Sequence, residues 1–271
     1  MASIIKPQGK SSVFNRLWRI AATGFCFTLF GIGGLMMSTF WFSTLRIVVK
    51  DRQRCTILTQ NSIRYSFKLF LWLTRFFRVL DYRFDGIDKL DQDAGCIVVA
   101  NHPSLLDYVF LASCMPRCDC IVKQSLLDNI FMRGVIKSAG YIANSESDIL
   151  LPQCQQILDS NGMILIFPEG TRTTPGQTMH LQRGAANIAL RCHADIRLVT
   201  IHCDQPMLTK QGKWYNIPPV KPRFQIVVKE KISAKDYTAD GDSSPAIAAR
   251  RLTQTLNQKL IPEPVQTNEK K

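Results

Sequence analysis

Short β-branched runs alternating with helix-forming stretches predict an α/β domain, a mixed and largely parallel sheet flanked by helices, behind an N-terminal apolar helical segment. Three observations carry this. The alternation starts near Asp85 and continues to Leu260. The apolar runs are only four to six residues long, and two of them stop at polar, Pro- or Gly-containing stretches, Asn101-His102-Pro103 and Pro168-Glu169-Gly170. Ahead of them, 26 consecutive residues from Ile20 to Leu45 carry no charge.

Those 26 residues include Phe25, Phe27, Phe30, Phe40, Trp41 and Phe42. As a helix they reach about 39 Å at about 1.5 Å per residue, longer than the ~30 Å hydrocarbon core of a bilayer. The stretch is also longer than the apolar part of a cleaved leader, and no small-residue cleavage signature follows it, so an uncleaved membrane segment is expected. Gly31, Gly33 and Gly34 in its middle permit a bend or a re-entrant hairpin. Basic residues lie on both sides (Lys6, Lys10, Arg16 and Arg19 before, Arg46, Lys50, Arg52 and Arg54 after), so loop charge sets no orientation. A second element, about 61–80, places Arg64, Lys68, Arg75 and Arg78 on one helical face beside Phe67, Leu69, Phe70, Trp72, Phe76 and Phe77. A basic stripe beside a broad apolar face predicts an amphipathic helix lying in a membrane interface, its cations among lipid phosphates.

The charge distribution supports that reading. The net charge is +13, but residues 1–84 hold 13 of the 34 Lys/Arg and 2 of the 21 Asp/Glu, so almost all of the excess lies there. Basic residues interleaved with long apolar stretches fit an anionic membrane surface and not a nucleic acid. The nine cysteines (26, 55, 96, 114, 118, 120, 154, 192 and 203) are odd in number and irregularly spaced, which argues against a disulfide framework. A reducing compartment, and so the cytoplasmic face of the membrane, follows (the inner, cytoplasmic membrane if the source is bacterial). Cys114, Cys118 and Cys120 cluster, but no second cluster with zinc spacing follows, and no metal is expected.

In the body, Cys96–Ala100 is a brief strand, Leu105–Met115 a helix, Cys120–Lys123 a strand and Leu126–Ser138 a helix. Ile149–Leu158 follows as a helix, Met163–Phe167 as an apolar strand and Gly184–Cys192 as an Ala-rich helix. Leu198–Cys203 and Phe224–Val228 are strands, and Ser244–Leu260 is a helix opened by Ser244 and Pro245. The division is therefore a membrane-anchoring region 1–84, an α/β domain 85–261 and a flexible polar tail 262–271.

Chemistry in α/β sheets gathers where strands end. Asn101-His102-Pro103-Ser104-Leu105-Leu106-Asp107 puts a His at a strand end and an Asp in the first turn of the next helix. A carboxylate there can fix the imidazole tautomer and stabilise the imidazolium formed when His takes a proton. On its own the spacing reads equally as a helix start, with Ser104 as cap and Asp107 as a first-turn acid. Phe167-Pro168-Glu169-Gly170-Thr171-Arg172-Thr173 is the second such stretch. Gly170 allows close backbone approach to a ligand, Arg172 can hold a phosphate and Glu169 can accept from a hydroxyl; the plain alternative is a solvated turn.

The two stretches together, in this order and about 65 residues apart, resemble the paired motifs of the glycerolipid acyltransferase family, which includes the 1-acylglycerol-3-phosphate acyltransferases. Similarity continues through Lys123-Gln124-Ser125-Leu126, Gly140-Tyr141-Ile142 and Arg183-Gly184-Ala185-Ala186, over about residues 80–230. The resemblance implies a glycerol-3-phosphate acyltransferase-like fold and acyl transfer from acyl-CoA or acyl-carrier protein, as co-substrate, to the hydroxyl of a lysolipid, with no cofactor. It implies His102 as general base and Asp107 as its orienter. Glu169, Gly170, Thr171 and Arg172, with Lys123 and Arg183, would bind the acceptor. No Gly-x-Ser-x-Gly elbow occurs, in keeping with direct attack by the acceptor. Two departures stand out. Phosphate-accepting members usually follow the block like Gly140-Tyr141-Ile142 with an Arg, whereas Ala143-Asn144-Ser145-Glu146 follows here. Ile196-Arg197-Leu198-Val199-Thr200-Ile201 lacks the prolines of a Val-Pro-x-x-Pro-like strand. The first departure favours, by a small margin, a specialised lysolipid over lysophosphatidic acid as acceptor. Two other readings remain at this point: a membrane-bound thioesterase using the same pair with water, and a non-catalytic membrane-binding module.

Overall fold

The computed structural model describes residues 13–122, 128, 130–143, 147–173, 176–238 and 244–262. The chain opens with α1 (Val13–Met36), a π-helical turn (Met37–Trp41) and α2 (Phe42–Val48), which together form one continuous rod. It turns at Asp51, whose carboxylate accepts the Gln53 and Arg54 N–H groups as an N-cap, and returns as α3 (Arg52–Phe76). The order then runs β1 (Asp81–Asp85), α4 (Asp88–Gln92), β2 (Ile97–Ala100), α5 (Asp107–Cys114), β3 (Cys118–Val122), α6 (Ile130–Ala139) and β4 (Ile142–Ala143). It closes with α7 (Ser147–Asp159), β5 (Met163–Ile166), α8 (Gly184–Arg191), β6 (Ile196–Cys203), β7 (Arg223–Ile232), a short 3-10 turn and α9 (Pro245–Lys259).

The seven strands form one sheet in the order β1-β7-β6-β2-β5-β3-β4, with every neighbouring pair parallel except β6 and β7. Alternation along the strands divides the core in two. Val98, Ala100, Leu165, Val199, Ile201, Phe224 and Ile226 face α1, α3 and α5. Ile97, Val99, Ile164, Ile196 and Leu198 face α7, α8 and α9.

The strands and helices expected from the sequence are present, with shifts that have local causes. The helix expected from Leu105 begins at Asp107, because side-chain bonds of Ser104 and Asp107 hold the preceding residues in a turn. β1, whose charged residues hide its alternation, and β4, only two residues long, were not expected. Part of the helix expected over 126–138 and nearly all of the tail expected over 262–271 lie outside the described residues.

Three readings of the N-terminal third change. The rod runs straight through Gly31, Gly33 and Gly34, and no hairpin forms there, because an apolar segment keeps its backbone bonded within the helix. The irregularity comes instead at Met37–Trp41, where the Ser38 side chain packs directly on Gly134 of α6. Secondly, the basic stripe of α3 does not all face outward. Arg64 donates to the Ser113 and Cys114 carbonyls and so closes the C-terminal end of α5. Arg75 pairs with Asp81 at 3.0 Å and lies over the Tyr82 ring. The face left open on α3 carries Tyr65, Leu69, Trp72 and Phe76. Thirdly, the boundary placed after residue 84 falls inside β1, which pairs with β7 from Asp81 to Asp85.

Helices α1 and α3 run antiparallel and meet through Phe27 on Phe70, Phe30 on Phe67 and Phe25 on Phe77. Ala22, Cys26, Phe42, Leu45, Phe67, Phe70 and Leu71 belong to the same core as the sheet. Removing residues 1–84 therefore strips one sheet face of its cover and takes most of β1 away. The truncated protein is expected to lose its cooperative thermal transition and to aggregate; a soluble fragment 85–271 with a single sharp transition would show that the helices are a separable anchor.

Candidate active site

The register of the sheet assembles the site. Val99 of β2 pairs with Ile166 of β5, so His102 and Glu169, each three residues further on, leave the sheet side by side. Asn101 ties the same point to the other neighbour: its side-chain amide donates to the Ile201 carbonyl at 2.8 Å and accepts the Ile201 N–H at 2.6 Å. An amide side chain copies a peptide group, and this one extends the ladder between β2 and β6 by one step.

His102 Nδ1 lies 2.8 Å from Asp107 Oδ2, which also accepts the Ser104 N–H at 2.7 Å. The bond to the carboxylate assigns the proton to Nδ1 and leaves the Nε2 lone pair free to accept one. The imidazole stacks on Phe167 at 4.2 Å between centroids, and its side chain keeps 19% of its exposure while Asp107 has none. Burial pushes the Asp107 carboxyl up, the bond from His102 opposes this, and the balance is about 6.

The expected acceptor residues divide. Glu169 is buried and does not face outward: its Oε1 accepts the His102 N–H at 2.6 Å. The His102 carbonyl in turn accepts the Thr173 N–H at 2.9 Å, so the 167–173 turn grips the His102 peptide groups on both sides. Gly170, at φ +65°, makes the left-handed corner of that turn. Thr171 is half-buried beside it. Arg172 Nη1 donates to the Leu208 and Thr209 carbonyls at 2.9 and 3.2 Å, and its Nε–Nη2 edge makes no bond among the described residues. Arg183 is exposed at the start of α8. Lys123 lies outside the described residues, as do Asn144, Ser145 and Glu146. The sequence reading missed Asn101, Phe167 as a stacking surface, and the 207–209 carbonyls, which carry no side-chain signal. Cys114, Cys118 and Cys120 are buried thiols; burial raises all three, Cys114 to about 11 and Cys120 to about 12.

An acyltransferase family profile matches residues 81–204, the span holding both motifs. A 1-acyl-sn-glycerol-3-phosphate acyltransferase of Helicobacter pylori is 32% identical over 179 residues, 62% of this chain and 70% of that protein. This chain belongs to the glycerolipid acyltransferase family. It is thus an O-acyltransferase. A 1-acyl-sn-glycerol-3-phosphate acyltransferase of Pseudomonas aeruginosa is 25% identical over 79% of the chain and 81% of its own length. The fold matches the crystal structure of the 1-acyl-sn-glycerophosphate (LPA) acyltransferase PlsC from Thermotoga maritima, with a TM-score of 0.64 at 17% identity, over 91% of this chain and 96% of that one.

Within this acyltransferase, Asp107 gives a prediction in which stability and activity separate. A carboxyl raised to about 6 in the fold, against about 3.9 when unfolded, opposes folding above pH 6 and ceases to do so as pH falls below 4. Asp107→Asn is therefore expected to keep or raise the melting temperature at pH 8 while lowering turnover at least about 10²-fold, because the imidazole loses its orienting charge. In the unaltered protein, kcat/KM should fall with pH below about 6 as the His102–Asp107 pair takes up a proton. A flat profile from pH 5 to 8 would contradict the pair's role.

Proposed function

We propose that this acyltransferase moves a fatty acyl group from an acyl thioester, acyl-CoA or acyl-carrier protein, to the free hydroxyl of 1-acyl-sn-glycerol-3-phosphate, with His102 as general base. The observation that carries the reading is the His102–Asp107 contact at 2.8 Å with Nε2 left open, bracketed by the turn that carries Arg172. The acceptor O–H gives its proton to Nε2 as the oxygen attacks the thioester carbonyl. The tetrahedral intermediate collapses with cleavage of the C–S bond, and the leaving thiolate takes the proton back from the imidazolium. Asp107 stays ionised throughout and stabilises the imidazolium.

Arg172 supports the phosphate in the acceptor. Two carbonyls hold Nη1, so the guanidinium is fixed with its Nε–Nη2 edge available, the edge that grips phosphate through two parallel bonds. The names of the relatives support lysophosphatidic acid over the specialised lysolipid that the sequence alone favoured. His102→Ala in a folded protein should lower turnover by about 10²–10⁴-fold. Arg172→Lys should raise the KM for lysophosphatidic acid and leave the thioester KM nearly unchanged. The deciding measurement is kcat/KM for lysophosphatidic acid against zwitterionic and phosphate-free lysolipids. A preference of about a hundredfold or more for lysophosphatidic acid is expected, within the roughly 10⁴–10⁵-fold that a site built to hydrogen-bond a substrate group can reach; equal use of a phosphate-free acceptor would overturn the reading.

The membrane holds the protein through the α1–α3 pair. The rod Val13–Val48 is long and apolar enough to cross a bilayer, and 17% of its most apolar window is buried in the protein. Its open face carries Phe14, Leu17, Trp18, Phe25, Leu29 and Ile32, and α3 adds Leu69, Trp72 and Phe76. The catalytic domain then lies at the cytoplasmic surface, in keeping with nine free thiols. Replacing Leu69, Trp72 and Phe76 by Ser should weaken binding to vesicles at any salt concentration, whereas Arg64→Gln should destabilise the fold without a comparable effect on binding. The reverse pattern would return the basic stripe to the lipid.

A further inference from the structure

The connection 204–222, between β6 and β7, touches both halves of the site and the first helix. At one end the Met207 carbonyl accepts Ser104 Oγ–H at 3.0 Å, and the Leu208 carbonyl accepts the Leu105 N–H at 3.1 Å. The Leu208 and Thr209 carbonyls also hold Arg172. Leu208 stands at φ +54°, a conformation that costs free energy for a residue with a side chain and persists only where the surroundings enforce it. Much of the segment is irregular, so its placement depends on what grips it.

At the other end the grip is Arg19. This residue lies just before the long charge-free stretch, yet it is 1% exposed. Its Nη2 donates to the Pro218 and Pro219 carbonyls at 2.9 and 2.6 Å, and its Nε to Asn15 Oδ1 at 3.0 Å. Burying a guanidinium is costly unless its donors are used; Nη2 converges on two adjacent carbonyls of a segment nearly 200 residues away and Nε is bonded, while Nη1 is buried without a partner among the described residues. Between the two ends, the Trp214 ring lies against Gly24 of α1, where a Cβ would sit only 3.2 Å from it.

We propose that Arg19 is a positioning residue for acceptor recognition: by holding 204–222 on α1 it fixes the Leu208 and Thr209 carbonyls that orient the Arg172 guanidinium. The inference rests on the reading of Arg172 as the phosphate-binding residue. It refers the headgroup site to the same helix that lies in the bilayer, so a lipid acceptor arriving from the membrane meets Arg172 in a fixed place.

The test uses the full chain in detergent micelles, with lysophosphatidic acid and acyl-CoA each varied in turn. Arg19→Met is expected to raise the acceptor KM about tenfold and leave the donor KM within about twofold, the split that marks lost acceptor binding. Arg19→Lys, which keeps a cation able to donate to both prolines, should give a smaller rise. Gly24→Leu disturbs the segment through Trp214 without altering Arg19's own bonds, and should shift the acceptor KM in the same direction. Equal changes in both KM values, or a lowered melting temperature with neither KM changed, would overturn the proposal. If Arg19→Met fails to fold, an unchanged acceptor KM in Gly24→Leu and Arg19→Lys overturns it equally. Arg172→Gln separates the two readings. If it leaves the acceptor KM unchanged, both fall; if it raises the KM while the Arg19 and Gly24 variants do not, the positioning role of Arg19 alone falls.

Discussion

Asp107 has no contact with solvent, and a carboxylate in that position stays ionised only while hydrogen bonds replace its water. It receives two, from His102 and from the Ser104 backbone, both on the loop that leads into its own helix. The loop therefore closes on its own acid, and the geometry of the His102–Asp107 pair is set within six residues of chain. The arrangement leaves Asp107 Oδ1 and Glu169 Oε2 buried without a protein partner among the described residues. The neighbouring Glu169 carboxylate raises the Asp107 carboxyl further.

That loop is held from outside by three neighbours, each fixed by sheet order. Because β2 lies between β5 and β6, its carboxyl end meets the Glu169 turn on one side and the Asn101–Ile201 ladder on the other. The third neighbour, the 204–222 connection, brings in the helices. Leu106, next to Asp107, packs with Thr23, Cys26 and Phe27 of α1 and with Phe70 and Thr74 of α3 around a small apolar cavity shared with Met207 and Leu208. The 102–107 loop and the apolar helices thus share one interior, which is why the N-terminal third resists description as a tether. A tether would touch the domain at one end. The rod touches it through Arg19 near its start and through Phe42, Leu45 and Arg46 near its end.

What the sequence revealed and what it hid follow from the range of the interactions involved. Strands β2 and β5 were legible because each is a short apolar run stopped by polar residues, and the His102–Asp107 contact because its two members are five residues apart. The fold class followed from alternation alone. The role of Glu169 was not legible, since an acid in a turn gives no sign that its partner is a backbone N–H 67 residues away. Arg64 misled for a related reason. On a helical wheel it joins a basic stripe, but in three dimensions the C-terminal carbonyls of α5 lie against it, and a helix end short of donors takes the nearest cation. Arg19 shows the same limit: a buried Arg beside an apolar stretch can be read only once its carbonyl partners are in place.

Of the two departures from the family pattern, one falls on described residues of the sheet. Arg197 stands near the amino end of β6, where it pairs with buried Asp93 and donates to the Lys229 carbonyl, while Lys231 joins the same carboxylate. This is the end of the sheet away from His102, so Arg197 in place of a proline exchanges one way of fixing the strand for another. The other departure, at Asn144-Ser145-Glu146, lies outside the described residues. On the carboxyl side of the sheet the Arg172 guanidinium is held in one orientation by the Leu208 and Thr209 carbonyls, and the left-handed backbone of Leu208 turns the first of them toward it.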